Sequence, residues 1–100
     1  MFKAALIEKI SEIAYHYGLE PQMRQTAEEC AELIQALMKY FRKDSVEWQR
    51  ATKEHILEET ADVWIMIRQL WELMDVGYTE ITEIVEQKVD RQIQRIEKRG

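Results

Sequence analysis

This sequence predicts an all-α domain, a bundle of four helices, on three observations. Its 100 residues include one proline and three glycines, and it is rich in Glu, Gln, Lys, Leu, Ile, Ala and Met, which lose little side-chain freedom in a helix. Apolar residues recur at spacings of three and four along four separate stretches. Nothing alternates with period two over a useful length, so no strand is expected.

The first helix is expected over about residues 2–17, where Leu6, Ile7, Ile10, Ile13, Ala14 and Tyr17 follow one another at helical spacing and Gly18 suits the left-handed residue that closes a helix. A second helix over 21–43 begins at Pro21, whose missing N–H does no harm in a first turn, and carries the stripe Leu33, Ile34, Leu37, Met38 and Phe41. Asp44 with Glu47 makes a candidate capping box, and Thr52 offers a second start. The third helix is therefore predicted over 52–76, preceded by a short helical turn at 46–50, with one continuous helix as the alternative. Gly77 fits its end, Thr79 fits an N-cap, and Ile81, Ile84, Val85, Val89, Ile93 and Ile96 give an amphipathic fourth helix over 79–98. No linker or repeat divides the chain, so residues 1–100 read as one domain.

Composition narrows the function classes. A net charge of -5, from 19 acidic and 14 basic residues, argues against coating a nucleic-acid backbone, which draws on clustered Lys and Arg. No run of about 18 apolar residues and no signal peptide appears, so no membrane role is expected and the cytoplasm is the simplest compartment. The lone cysteine, Cys30, has no partner for an internal disulfide and reads as a small buried apolar residue.

Two acidic motifs carry the chemistry: Glu28-Glu29-Cys30-Ala31-Glu32 in helix two and Glu58-Glu59-Thr60-Ala61-Asp62 in helix three. At about 100° per residue, acids three apart differ by about 60° around the axis and one turn along it, so each pair points into common space. Acids on an arbitrary Glu-rich helix usually do no more than solvate its surface. Here, however, Glu59 projects in line with Val63, Met66 and Leu70, and Asp62 falls between Ile65, Met66 and Leu73. A carboxylate on a core-facing stripe must be desolvated, at a cost of several kcal/mol unless something cationic meets it. Glu29 and Glu32 project onto the flank of the Leu33, Leu37, Phe41 stripe, from which they would face helix three across about 8–10 Å if the two helices pack antiparallel. Four converging carboxylates suit hard divalent cations, magnesium first and manganese as a substitute.

The arrangement Glu29-x-x-Glu32, then 26 residues, then Glu59-x-x-Asp62, each preceded by a further Glu, resembles the signature of the MazG-like all-α nucleoside triphosphate pyrophosphohydrolases. Leu33 after the first motif, the hydrophobic Ala61-Asp62-Val63-Trp64 and the basic last helix around Lys88, Arg91 and Arg95 extend the likeness over about residues 20–96. Larger members often carry an Asn in that last helix, where this chain has Asp90 and Gln92. The resemblance implies hydrolysis of a (deoxy)nucleoside triphosphate to the monophosphate and pyrophosphate, in nucleotide-pool house-cleaning. It also implies that Glu29, Glu32, Glu59 and Asp62 are magnesium ligands and that Glu28 and Glu58 are auxiliary flanking positions.

In such a site Glu32 or Glu59 is expected to orient the attacking water. Lys88, Arg91 and Arg95 are candidate phosphate contacts, set against the ordinary role of basic residues near a helix C-terminus in stabilising the dipole. Trp48, Trp64 and Trp71 could stack on a base, but core or dimer contacts are the better reading of Trp64 and Trp71, seven residues apart. His16 and His55 lack partners at metal-binding spacing, and the chain has no Glu-x-x-His pair of the kind a di-iron bundle requires. The apolar faces of helices three and four exceed what one layer covers, so a homodimer or homotetramer is expected. The competing reading is a non-catalytic helical module that dimerises through those faces and carries its acids as surface decoration.

Overall fold

The structure is a computed structural model that describes residues 2–42 and 45–99. It consists of four helices, α1 (Ala4–Tyr17), α2 (Leu19–Lys39), α3 (Val46–Leu73) and α4 (Tyr78–Arg99), with no strand among the described residues. The expected all-α architecture is therefore observed.

A single residue joins α1 to α2. Gly18 adopts φ 90°, donates its N–H to the Ala14 carbonyl at 2.8 Å and accepts from Gln22 N–H, so it ends one helix and begins the next. Only glycine takes this backbone conformation without strain. Pro21 is thus the third residue of α2 and still sits where no intrahelical N–H is required.

The α2 helix ends at Lys39, earlier than the expected residue 43, and the chain tightens through Tyr40 N–H to Leu37 and Arg42 N–H to Lys39. Lys43 and Asp44, and with them the candidate capping box, lie outside the described residues. Ser45 caps α3 instead, accepting from Trp48 N–H at 3.1 Å, while the Trp48 indole donates to the Lys39 carbonyl at 3.0 Å and satisfies one of the groups left open at the end of α2. The separate turn and second start at Thr52 are not seen. Thr52 is buried within a continuous helix, its hydroxyl donating to the Trp48 carbonyl one turn back at 2.7 Å, which removes its reason to cap.

At its other end α3 stops at Leu73, short of the expected residue 76, and the left-handed residue is Asp75 (φ 56°), not Gly77. Val76 N–H reaches the Trp71 carbonyl at 2.8 Å and Asp75 N–H the Glu72 carbonyl at 3.2 Å, the paired bonds of a Schellman closure. Gly77 accepts from Ile81 N–H and so occupies the cap position of α4, which leaves Thr79 inside the helix.

Helices α2 and α3 run antiparallel. Gln22 meets Gln69, Glu29 meets Glu59 and Asp62, and Lys39 meets Trp48, so the partner number falls as the chain number rises. Against α3, α1 runs in the same sense, with Phe2 on Trp64 (ring centroids 4.6 Å apart) and the Tyr15 hydroxyl donating to Glu72 at 3.1 Å. That hydrogen bond to a carboxylate holds the Tyr15 phenol above its ordinary range. Among the described residues α4 packs against none of the other three helices.

The core is small and partly polar. Ile10, Ala14, Ala36 and Met66 are its buried apolar residues, joined by Gln22, Thr52, Glu59 and Gln69. The inner line of α2 passes through Gln22, Glu29, Leu33 and Ala36, whereas Ile34, Leu37, Met38 and Phe41 are exposed, Phe41 at 82%. The apolar stripe expected to face the core of α2 is therefore split, with Leu33 on the inner line and the rest facing outward. Gln22 donates to Gln69 at 2.6 Å, with Gln69 only 1% exposed. Gln69→Ala should cost about 2 kcal/mol in urea unfolding, because it strands a buried amide and opens a cavity. Replacing both glutamines with leucine should recover most of that loss, since no polar group is then left unpaired.

Candidate metal centre

Midway along the α2–α3 seam the inner line of α2 brings Glu29 against Glu59 and Asp62 of α3. A carboxylate oxygen from each of the three lies within 4.8 Å of the other two. Burial grades across the group: Glu59 is 8% exposed, Glu29 half-buried and Asp62 exposed at the edge. The expected convergence of acids from helices two and three is thus present for three of the four residues.

Each carboxylate has its own setting. Glu29 Oε1 accepts from Gln25 Nε2 at 2.8 Å, and Glu59 Oε1 lies 3.9 Å from His55 Nε2. The other oxygen of each, Glu29 Oε2 and Glu59 Oε2, is buried without a hydrogen-bond partner among the described residues. Buried polar atoms nearly always find partners. These two do not, and they sit on carboxylates with ligand atoms no more than 4.8 Å apart; like charges at that range repel more strongly where water is excluded. An oxygen-only donor set of this kind fits a hard divalent cation, whose charge would meet both orphaned oxygens at once.

Glu32, expected as the fourth ligand, is exposed and outside the group. The inner line of α2 turns from Glu29 to Leu33, and a residue three after Glu29 falls on its solvent side. Glu28 and Glu58 are also exposed, as are Lys88, Arg91 and Arg95. Because α4 packs against neither α2 nor α3, those three basic residues are not brought beside the acids within one chain.

Of the aromatic candidates, Trp64 is half-buried against Phe2, Trp71 borders a cleft at the base of α4, and Trp48 bonds to Lys39. Cys30 is half-buried, and His16 is exposed with its ring edge-on to Tyr17. His55, which lacks a partner at metal-binding spacing, lies beside the acids through its i, i+4 spacing to Glu59. Gln25 was not singled out, although it stands four residues before Glu29. No helix is long and apolar enough to cross a membrane among the described residues.

Set against protein-family models, curated proteins and solved structures, the chain matches none.

The repulsion has a direct consequence. In chelator-containing buffer Glu59→Gln should raise the thermal midpoint by several degrees, since it removes one of two opposed charges and supplies an amide donor to Glu29. A lowered midpoint would show that the charged form is not a burden on the fold.

Proposed function

We propose that the chain is a magnesium-dependent nucleoside triphosphate pyrophosphohydrolase, similar to the MazG-like enzymes, that releases monophosphate and pyrophosphate in nucleotide-pool house-cleaning. The observation that carries this reading is the pair of buried, unpartnered oxygens Glu29 Oε2 and Glu59 Oε2 beside the Asp62 carboxylate. Surface decoration would leave its oxygens in water, and these are not. The antiparallel seam adds support, because it brings together the two motifs on which the family resemblance rests.

Glu29, Glu59 and Asp62 would hold the ion. Magnesium, or manganese in its place, would supply neutralisation of the triphosphate charge, which lowers much of the barrier to phosphoryl transfer. The chain's own contribution is positioning. Glu59 is fixed by burial and Glu29 by its bond from Gln25, so the ligand oxygens need no reordering when substrate arrives. Of the two acids expected to orient water, Glu59 belongs to the buried group, so we assign that role to Glu32 on the exposed edge one turn beyond Glu29. Glu32 would accept the proton of a water that attacks the α-phosphorus as the bond to the leaving pyrophosphate breaks. Lys88, Arg91 and Arg95 are not carried into the proposal as phosphate contacts, because α4 stands away from the acids.

A non-catalytic module has the exposed face of α4 in its favour but gives no reason for two desolvated carboxylates. Incubation with each nucleoside triphosphate and magnesium should release pyrophosphate and monophosphate. Glu59→Gln and Asp62→Asn should each lower turnover by about 100-fold or more with the helical circular dichroism intact. Independently of activity, magnesium should raise the thermal midpoint of the native protein, by the equivalent of about 2.7 kcal/mol at a hundredfold excess over Kd, and leave that of Glu59→Gln unmoved. Full activity in both variants, or orthophosphate as the released product, would sink the assignment.

A further inference from the structure

Helix α4 is 22 residues long, about 33 Å, and it leaves the three-helix body without packing on any part of it among the described residues. In proteins most helical stability comes from covering an amphipathic helix's apolar face. That face exists. Ile81, Val85, Val89, Ile93 and Ile96 follow one another at spacings of four, four, four and three, and all but Ile81 are about half exposed or more.

The charges on α4 are divided along its length. Glu80, Glu83 and Glu86 occupy the first half with no Lys or Arg among them, and Lys88, Arg91, Arg95 and Lys98 dominate the second, against Asp90 and Glu97. Laid parallel, two such helices would set acid against acid and base against base; laid antiparallel, each half meets its complement and the helix dipoles also oppose. Self-complementarity of this kind is what a closed two-fold interface requires.

A cleft of about 480 Å³ lies where α3 gives way to α4, lined by Trp64, Trp71, Val76, Tyr78, Ile81 and Val85, with Glu86 and the ion pair of Arg68 with Glu72 (3.6 Å) among its polar residues. The apolar stripe runs from this cleft to Ile96, and its midpoint falls between Lys88 and Val89. We propose that α4 pairs antiparallel with α4 of a second copy of this chain about a two-fold axis near Val89, each helix laying Ile93 and Ile96 into the cleft at the base of the other. In that register Arg91 arrives beside Glu86 of the partner subunit, and Arg95 and Lys98 arrive beside Glu83 and Glu80 of the partner subunit. Arg91 and Arg95 act as interface ion-pair partners, a role independent of whether the acidic centre is catalytic.

Light scattering of the full chain at tens of micromolar should give a mass of at least two chains. Val89→Glu combined with Ile93→Glu should halve it without loss of the folded signal of the three-helix body, since neither side chain touches that body. Orientation is read by disulfide trapping on a Cys30→Ser background: Ile81→Cys mixed with Ile96→Cys should cross-link to each other, and Ile96→Cys alone should not cross-link to itself. A single-chain mass, a mass unchanged by the double substitution, or self-cross-linking of Ile96→Cys would each overturn the proposal.

Discussion

The hydrogen bond between Gln22 and Gln69 fixes the rest of the structure, because it sets the register of α2 on α3 where little apolar area exists to set it. Apolar side chains tolerate a slip of one turn by repacking, whereas a buried amide pair does not, since any slip leaves both amides desolvated and unpaired. With that register fixed at one end and Trp48 bonded to Lys39 at the other, the middle of the seam has no choice. Glu29 must face Glu59 and Asp62. The acidic centre is a consequence of the same antiparallel register that holds the body together.

How far this could be read from the sequence depends on which faces were distinctive. The four helices were legible because apolar spacing and the Gly and Pro punctuation agreed, and Glu59 was legible because it continues a stripe through Met66, which is buried as expected. The inner face of α2 was not. Its strongest apolar stripe, Leu37 and Phe41 with their neighbours, faces outward, while the packed line runs through Gln22, Glu29 and Ala36. Periodicity identifies the most apolar face, and here the most apolar face is not the one that meets α3. That same misreading put Glu29 on the flank beside Glu32, whereas Glu29 lies on the packed line and Glu32 outside it.

Helix ends show a second limit. Thr52 looks like a cap, yet inside α3 its hydroxyl bonds to the carbonyl one turn back, a use that sequence cannot separate from capping. Asp75 takes the left-handed position two residues before a glycine that seemed made for it. There Val76 N–H returns to the Trp71 carbonyl, and both residues line the α4 cleft, so the closure of α3 is set by that backbone bond and not by the glycine that follows.

These features bear on one another through stability. A body with four buried apolar residues among those described, two of them alanine, has little to offset the desolvation of Glu29 and Glu59, and a 100-residue chain buries only roughly 60 to 65% of its unfolded surface alone. Apolar area that α1 to α3 lack is present on α4, in a stripe the chain itself does not cover. Spending apolar surface on an intermolecular contact while filling the intramolecular seam with amides and carboxylates separates two demands: the polar seam dictates geometry at the acids, and association through α4 can supply stability without passing through them. Such a division permits a charged centre in a domain too small to bury one at its own expense.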